Sequence, residues 1–96
     1  MLEQQNGIDI EVIQAKRFET TLKKLPLYQL KKVEDEIDLI ISDPEIGKLK
    51  KGNLAYLRVH KFRIDTQEYL LGYSWIEEEI QIILLQLGSH ENFIEK

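Results

Sequence analysis

The 96-residue chain contains no cysteine, so neither a disulfide framework nor a thiolate metal centre is available to it. It has no apolar run near the ~20 residues that span a bilayer. Its opening residues, MLEQQNG, lack the basic start and apolar core of a secretory leader. A reducing, cytoplasmic setting without membrane contact is the expectation. The chain also lacks a GxxxxGK phosphate loop, a GxSxG nucleophile elbow and a dinucleotide fingerprint. With no internal repeat, low-complexity tract or linker, nothing divides it. A single domain over 1–96 is expected, with 1–7 as a flexible tail. A chain of this length buries roughly two-thirds of its unfolded surface, and its 43% hydrophobic and 31% charged content suits an ordinary globular fold.

The net charge of -4 argues against a nucleic-acid partner until its distribution is read. Lys48, Lys50, Lys51, Arg58, Lys61 and Arg63 fall in one stretch whose sole acid is Asp65. Salt screens charge beyond about 8–10 Å, so local excess rather than net charge sets the field over a binding face. These cations read equally as the solvated side of a loop and strand.

Periodicity supplies the architecture. IDIEVI alternates Ile8, Ile10 and Val12 against Asp9 and Glu11, a strand with one wet face. From Ala15 the apolar spacing becomes helical, through Phe18, Leu22 and Leu25. Pro26 breaks that helix because it lacks an amide donor and disfavours helical geometry at Leu25. A second helix fits Leu27 to about Ile41 on Leu30, Val33, Ile37 and Ile40. Lys31 with Asp35 and Lys32 with Glu36 form i,i+4 pairs, each worth a few tenths of a kcal/mol. SDPEIG closes the helical hairpin.

Three strands then follow. Residues 54–64 change apolar phase between Leu57/Val59 and Phe62/Ile64, which predicts a bulge near His60 or Lys61. A turn at 65–67 leads to EYLLGYSW, with Tyr69, Leu71, Tyr73 and Trp75 on one face. Glu77 and Glu78 turn the chain into IQIILLQL, apolar on both faces and so expected to be central. The fold class is α+β: an N-terminal strand and helical hairpin packed on a small, mainly antiparallel sheet, in the order β-α-α-β-β-β with a short C-terminal helix.

That order, with FETTLKKLP, SDPEIGKLKKGNLAYLRVHKF and YLLGYS…LLQLGSHENF, resembles the RelE/ParE superfamily of bacterial type II toxins from Ile8 to Phe93. The resemblance implies a cytoplasmic toxin without cofactor or metal, held in a hetero-oligomer by a cognate antitoxin. RelE-type members cleave mRNA on the ribosome, as endoribonucleases leaving a 2′,3′-cyclic phosphate. ParE-type members inhibit DNA gyrase, and a third implied role is a catalytically weak homologue acting through its antitoxin complex. Carried onto this chain, the family's phosphate-holding position falls on Arg58 and His60. Its arginine on the next strand is replaced by Leu70, and the ending with His90 and Phe93 is similar to that of YafQ-type toxins, one residue short in spacing.

Cleavage of RNA by its own 2′-hydroxyl needs a base, an acid and positive charge on the phosphate. Histidine titrates near neutrality, so His90, His60 and Arg58 form the expected catalytic set. Lys48, Lys50, Lys51, Lys61, Arg63 and Phe93 form the expected substrate-binding set, Phe93 by stacking on a base. If Ser89 caps a terminal helix, the helix dipole keeps His90 neutral and basic. Against this stands a plainer account: GSHE at a helix start is good capping chemistry, and Phe93 plugs a core.

Overall fold

A computed structural model describes residues 9–50 and 56–90. The chain runs β1 (Glu11–Gln14), α1 (Lys16–Lys23), α2 (Leu27–Ser42), β2 (Lys48–Leu49), β3 (Arg58–Ile64), β4 (Gln67–Ile76), a 3₁₀ turn (Glu77–Glu79) and β5 (Gln81–Ser89). The expected tail 1–7 and C-terminal helix lie outside the described residues. The five strands form one sheet in the order β1-β5-β4-β3-β2. β1 pairs in parallel with β5, and the other three pairings are antiparallel. The α+β class and the central place of the last strand are as expected, while the two-residue β2 is an addition.

Both helices form where the apolar spacing predicts. Pro26 stands at the start of α2 with φ -61°, where a missing amide costs nothing. Its carbonyl accepts from the amides of Gln29 at 3.0 Å and Leu30 at 2.9 Å. α2 stops at Asp43, held in a non-helical conformation by the proline that follows. Phe18 from α1 and Val33 and Ile40 from α2 meet Phe62, Ile64, Leu71, Tyr73, Ile82, Leu84 and Leu87 in one core. This core covers one side of the sheet, here called the helix face.

Two expectations about strands need correction. β3 contains no bulge, since its register with β4 runs unbroken from Arg58 opposite Tyr73 to Ile64 opposite Gln67. Its apolar phase changes because both faces bury side chains at different points. Phe62 and Ile64 enter the main core, whereas Leu57 and Val59 join Leu70 and Leu85 in a second cluster on the outer face. The bulge lies instead between β4 and β5: Gly72 opposes Gln86 and Tyr73 opposes Leu84, leaving Leu85 as the extra residue. That insertion resets the alternation, so that Leu84 and Leu87, three apart, both enter the main core while Leu85 packs on the outer cluster. β1 also starts later than its alternation implied, and as an edge strand it leaves Val12 36% and Ile13 39% exposed.

After α2 the chain passes beneath the Tyr73 ring. The Tyr73 hydroxyl donates to the Pro44 carbonyl at 2.6 Å and accepts from the Gly47 amide at 2.9 Å. A Cβ on Gly47 would stand 2.7 Å from the ring and 2.8 Å from the hydroxyl oxygen, so glycine is required there by space. Gly47→Ala is expected to destabilise the fold by about 1–3 kcal/mol, read as a lower urea midpoint at unchanged m-value.

Candidate nucleic-acid interface

Side chains alternate across a strand, so register sorts the expected site residues that are described onto one face or the other. On the helix face of β3 stand Arg58 and His60. Arg58 Nη1 donates to the Gly47 carbonyl at 2.9 Å and the Glu45 carbonyl at 3.3 Å. His60 is 9% exposed and lies against α2, its Nε2 2.6 Å from Glu36 Oε1. A carboxylate only accepts, so His60 donates from Nε2. Phe62 stacks on the imidazole with ring centroids 5.8 Å apart, and Tyr69 stacks on Phe62 at 5.9 Å. The second oxygen of Glu36 takes Lys32 Nζ at 2.9 Å.

Glu36 is thus a buried carboxylate held by an imidazole and an ammonium. Burial pushes its pKa up, but the hydrogen bonds from His60 and Lys32, with their charges, outweigh that and hold it below the usual carboxylate range. A sequence signal was present: Glu36 lies three residues after Val33 and four before Ile40, on the apolar stripe of α2. An acid there points at the sheet and needs a partner. The other i,i+4 pair, Lys31 with Asp35 at 2.9 Å, is exposed.

The outer face carries the rest of the described set. Lys61 lies opposite Leu70, which lies opposite Gly88. Arg63 lies opposite Glu68, and the His90 amide donates to the Glu68 carbonyl at 2.8 Å, extending the β4–β5 ladder one step. Arg63, Glu68 and His90 therefore form one row across three strands. On β2, Lys48 opposes Val59, and the Lys50 amide donates to the Leu57 carbonyl at 2.9 Å, so both lysines share that face. At strand rise and spacing of about 3.3 and 4.8 Å, the cations and His90 rim an area of roughly 20 by 14 Å around the Leu57–Val59–Leu70 cluster. Lys48, Lys61, Arg63 and His90 are exposed.

The structure places His90 on the same face as Lys48, Lys50, Lys61 and Arg63, nearest to Arg63 and Lys61, and on the opposite face from His60 and Arg58. The two imidazoles stand on opposite sides of the sheet. Lys51 and Phe93 lie outside the described residues. Leu70, where the family resemblance puts an arginine, is 2% exposed within the outer cluster. Glu68 went unnoticed in the sequence because its place between Arg63 and His90 depends on register. Among the described residues, no three His, Asp or Glu side chains converge as metal ligands, and no helix is long and apolar enough to cross a membrane.

Comparison with known proteins adds a family. Residues 12–96 match the family described as the ParE-like toxin of type II bacterial toxin–antitoxin systems. Among curated protein sequences no relative matches. The fold is similar to the toxin in the intact Escherichia coli RelBE toxin–antitoxin complex, with TM-score 0.69 and 16% identity over 92% of this chain and all of that one. It is also similar to a chain of the RelBE2 complex of Mycobacterium tuberculosis, with TM-score 0.74 and 20% identity over 86% of this chain and all of that one. A conserved hypothetical protein of Helicobacter pylori aligns with TM-score 0.55 and 22% identity over 86% and 97% of the two chains.

The Glu36 contact generates a pH dependence. Because its folded pKa is lowered, its contribution is fully present above the unfolded value and is lost as pH falls through the folded one. Between pH 5 and 3 the wild type is expected to lose stability more steeply than Glu36→Gln, read from urea midpoints at each pH; parallel curves would contradict the pairing.

Proposed function

Since the chain belongs to the ParE-like toxins of type II bacterial toxin–antitoxin systems, we propose that its outer sheet face binds single-stranded RNA and cleaves it during translation. The observation that carries this reading is that Lys48, Lys50, Lys61 and Arg63, from β2 and β3, share one face with His90 at the end of β5. Cations on a face track a phosphate backbone. His90, exposed and not engaged by a buried acid, takes the proton of a 2′-hydroxyl. The 2′-oxygen then attacks phosphorus, the 5′-oxygen leaves with a proton from Lys61, and a 2′,3′-cyclic phosphate remains. Arg63, in the same row as His90, stabilises the charge that grows on the phosphate, and Lys48 and Lys50 hold backbone phosphates further along the face. Arg58 and His60 support this face from behind, and the reading gives them no contact with substrate.

A second reading has its own support. Leu70 puts an apolar group where an arginine would stabilise a scissile phosphate, and the matching family is the ParE-like one. That combination favours a toxin that inhibits gyrase by contact. Induced expression in bacteria, followed by pulses of labelled amino acid and thymidine, separates the two. The proposed function predicts that protein synthesis falls first, with truncated mRNAs, and that His90→Ala lowers cleavage by ~10²-fold or more. A prior fall in DNA synthesis supports the gyrase reading.

Either activity implies an antitoxin partner, as in the RelBE complexes. Its seat in this reading is the outer side of the helical hairpin. Leu27 and Tyr28 are 80% and 60% exposed there, in a groove completed by Leu30, Lys31 and Glu34. On α1 and the turn after it, Lys16, Arg17, Lys23 and Lys24 stand against Glu19, while Lys31 and Glu34 in the groove carry both signs, a surface suited to an amphipathic segment with acids on the side that meets α1. Leu27→Asp with Tyr28→Asp is expected to weaken binding of the co-encoded antitoxin at least about tenfold, measured by calorimetry.

A further inference from the structure

The turn between α2 and β2 is held by a single cross-strand pair. Tyr73 and Arg58 oppose each other on the helix face. Between them they engage the Pro44, Glu45 and Gly47 carbonyls and the Gly47 amide, at 2.6, 3.3, 2.9 and 2.9 Å. The Tyr73 side chain is fully buried, and burial pushes its pKa up, so the hydroxyl stays protonated and keeps donating. The residues that follow this clamp are Lys48, Leu49 and Lys50. β2 contributes two paired residues to the sheet, and the Lys50 amide adds a bond to the Leu57 carbonyl at 2.9 Å, a ladder shorter than the usual strand of about five or six residues. The backbone that carries two outer-face lysines is therefore held jointly, by that short ladder with β3 and by the Tyr73 and Arg58 contacts on the opposite face.

We propose that Tyr73 and Arg58 are positioning residues: by clamping residues 44–47 from the helix face, they set where Lys48 and Lys50 meet a single-stranded nucleic-acid backbone on the outer face. The inference rests on the RNA reading of that face. A lysine on ordered backbone meets a phosphate without first losing main-chain entropy, whereas one on a released segment must lose it on binding. Removing the clamp therefore weakens binding through lysines that are themselves intact. The effect is readable because the slope of log affinity against log salt counts phosphate contacts.

The test uses the full chain in a His90→Ala background, so that RNA stays uncut, with Tyr73→Phe, Arg58→Met and the conservative Arg58→Lys. Amide hydrogen exchange reports on residues 46–50, and anisotropy of a fluorescent single-stranded RNA oligonucleotide between 50 and 200 mM salt reports affinity. Lys48→Gln with Lys50→Gln is the reference. Tyr73→Phe and Arg58→Met are expected to lose protection at 46–50 by about tenfold. Their salt slopes are expected to fall by up to ~1.4, two single-strand phosphate contacts, matching the double-lysine variant, with Arg58→Lys recovering part of both. Unchanged protection at 46–50 overturns the clamp. Lost protection with wild-type affinity and slope overturns the positioning role while leaving the RNA face intact. Equal binding by wild type and the double-lysine variant overturns both the positioning role and the assignment of these lysines to RNA.

Discussion

Strand alternation is the constraint on which the rest of this molecule depends. A residue on β3 belongs to one face, and its neighbours belong to the other. The two helices cover one side of a five-stranded sheet, so each step along β3 decides between burial under α2 and exposure with the cations. Arg58, His60, Phe62 and Ile64 fall on the first side, and Val59, Lys61 and Arg63 on the second. This parity divides four neighbouring basic or imidazole residues, Arg58 and His60 against Lys61 and Arg63, into supporting and presenting groups. Sequence proximity alone would have kept them together.

Polar groups on the helix face are satisfied individually. Glu36 takes both His60 and Lys32, and the Tyr73 hydroxyl and Arg58 guanidinium take the backbone polar groups that follow α2. Unpaired polar groups at such depth cost about 1–3 kcal/mol each, so these contacts specify geometry as well as stabilise it. His60 Nε2–H fixes the approach of α2 to β3. The Tyr73 hydroxyl fixes the path by which the chain leaves α2 and enters the sheet edge.

How far the sequence disclosed this depended on the kind of signal. Helical stripes were plain: Phe18, Leu22 and Leu25, then Val33, Ile37 and Ile40, each in or against the core, while Leu30, read with them, lines the groove on the outer side of the hairpin. The interior place of the last strand was legible from IQIILLQL, but its burial is one-sided: Ile82, Leu84 and Leu87 enter the core, while Ile83 and Leu85 are half-buried. The bulge was misplaced because a two-sided strand and a bulged strand produce the same change of apolar phase. Only pairing distinguishes β3, whose clusters are split between faces, from β5, where Leu85 is inserted. The site was half legible. The clustering of Lys48, Lys50, Lys61 and Arg63 is local in sequence, but their union with His90 is a property of the β3–β4–β5 ladder. Glu36 hid as the partner of Lys32, an exposed-looking i,i+4 pair whose acid is turned inward.

The parts then form a two-sided device: a helix-covered face that fixes backbone, and an outer face where β2, β3 and the end of β5 gather positive charge about a small apolar centre. Chemical-shift mapping of the ¹⁵N-labelled chain with an uncleavable 2′-O-methyl single-stranded oligonucleotide tests this most directly. Perturbations are expected at Lys48, Leu49 and Lys50, at Lys61 and Arg63, and at Gly88 and His90. Perturbations concentrated on α1 and α2, or none at millimolar oligonucleotide, would contradict it.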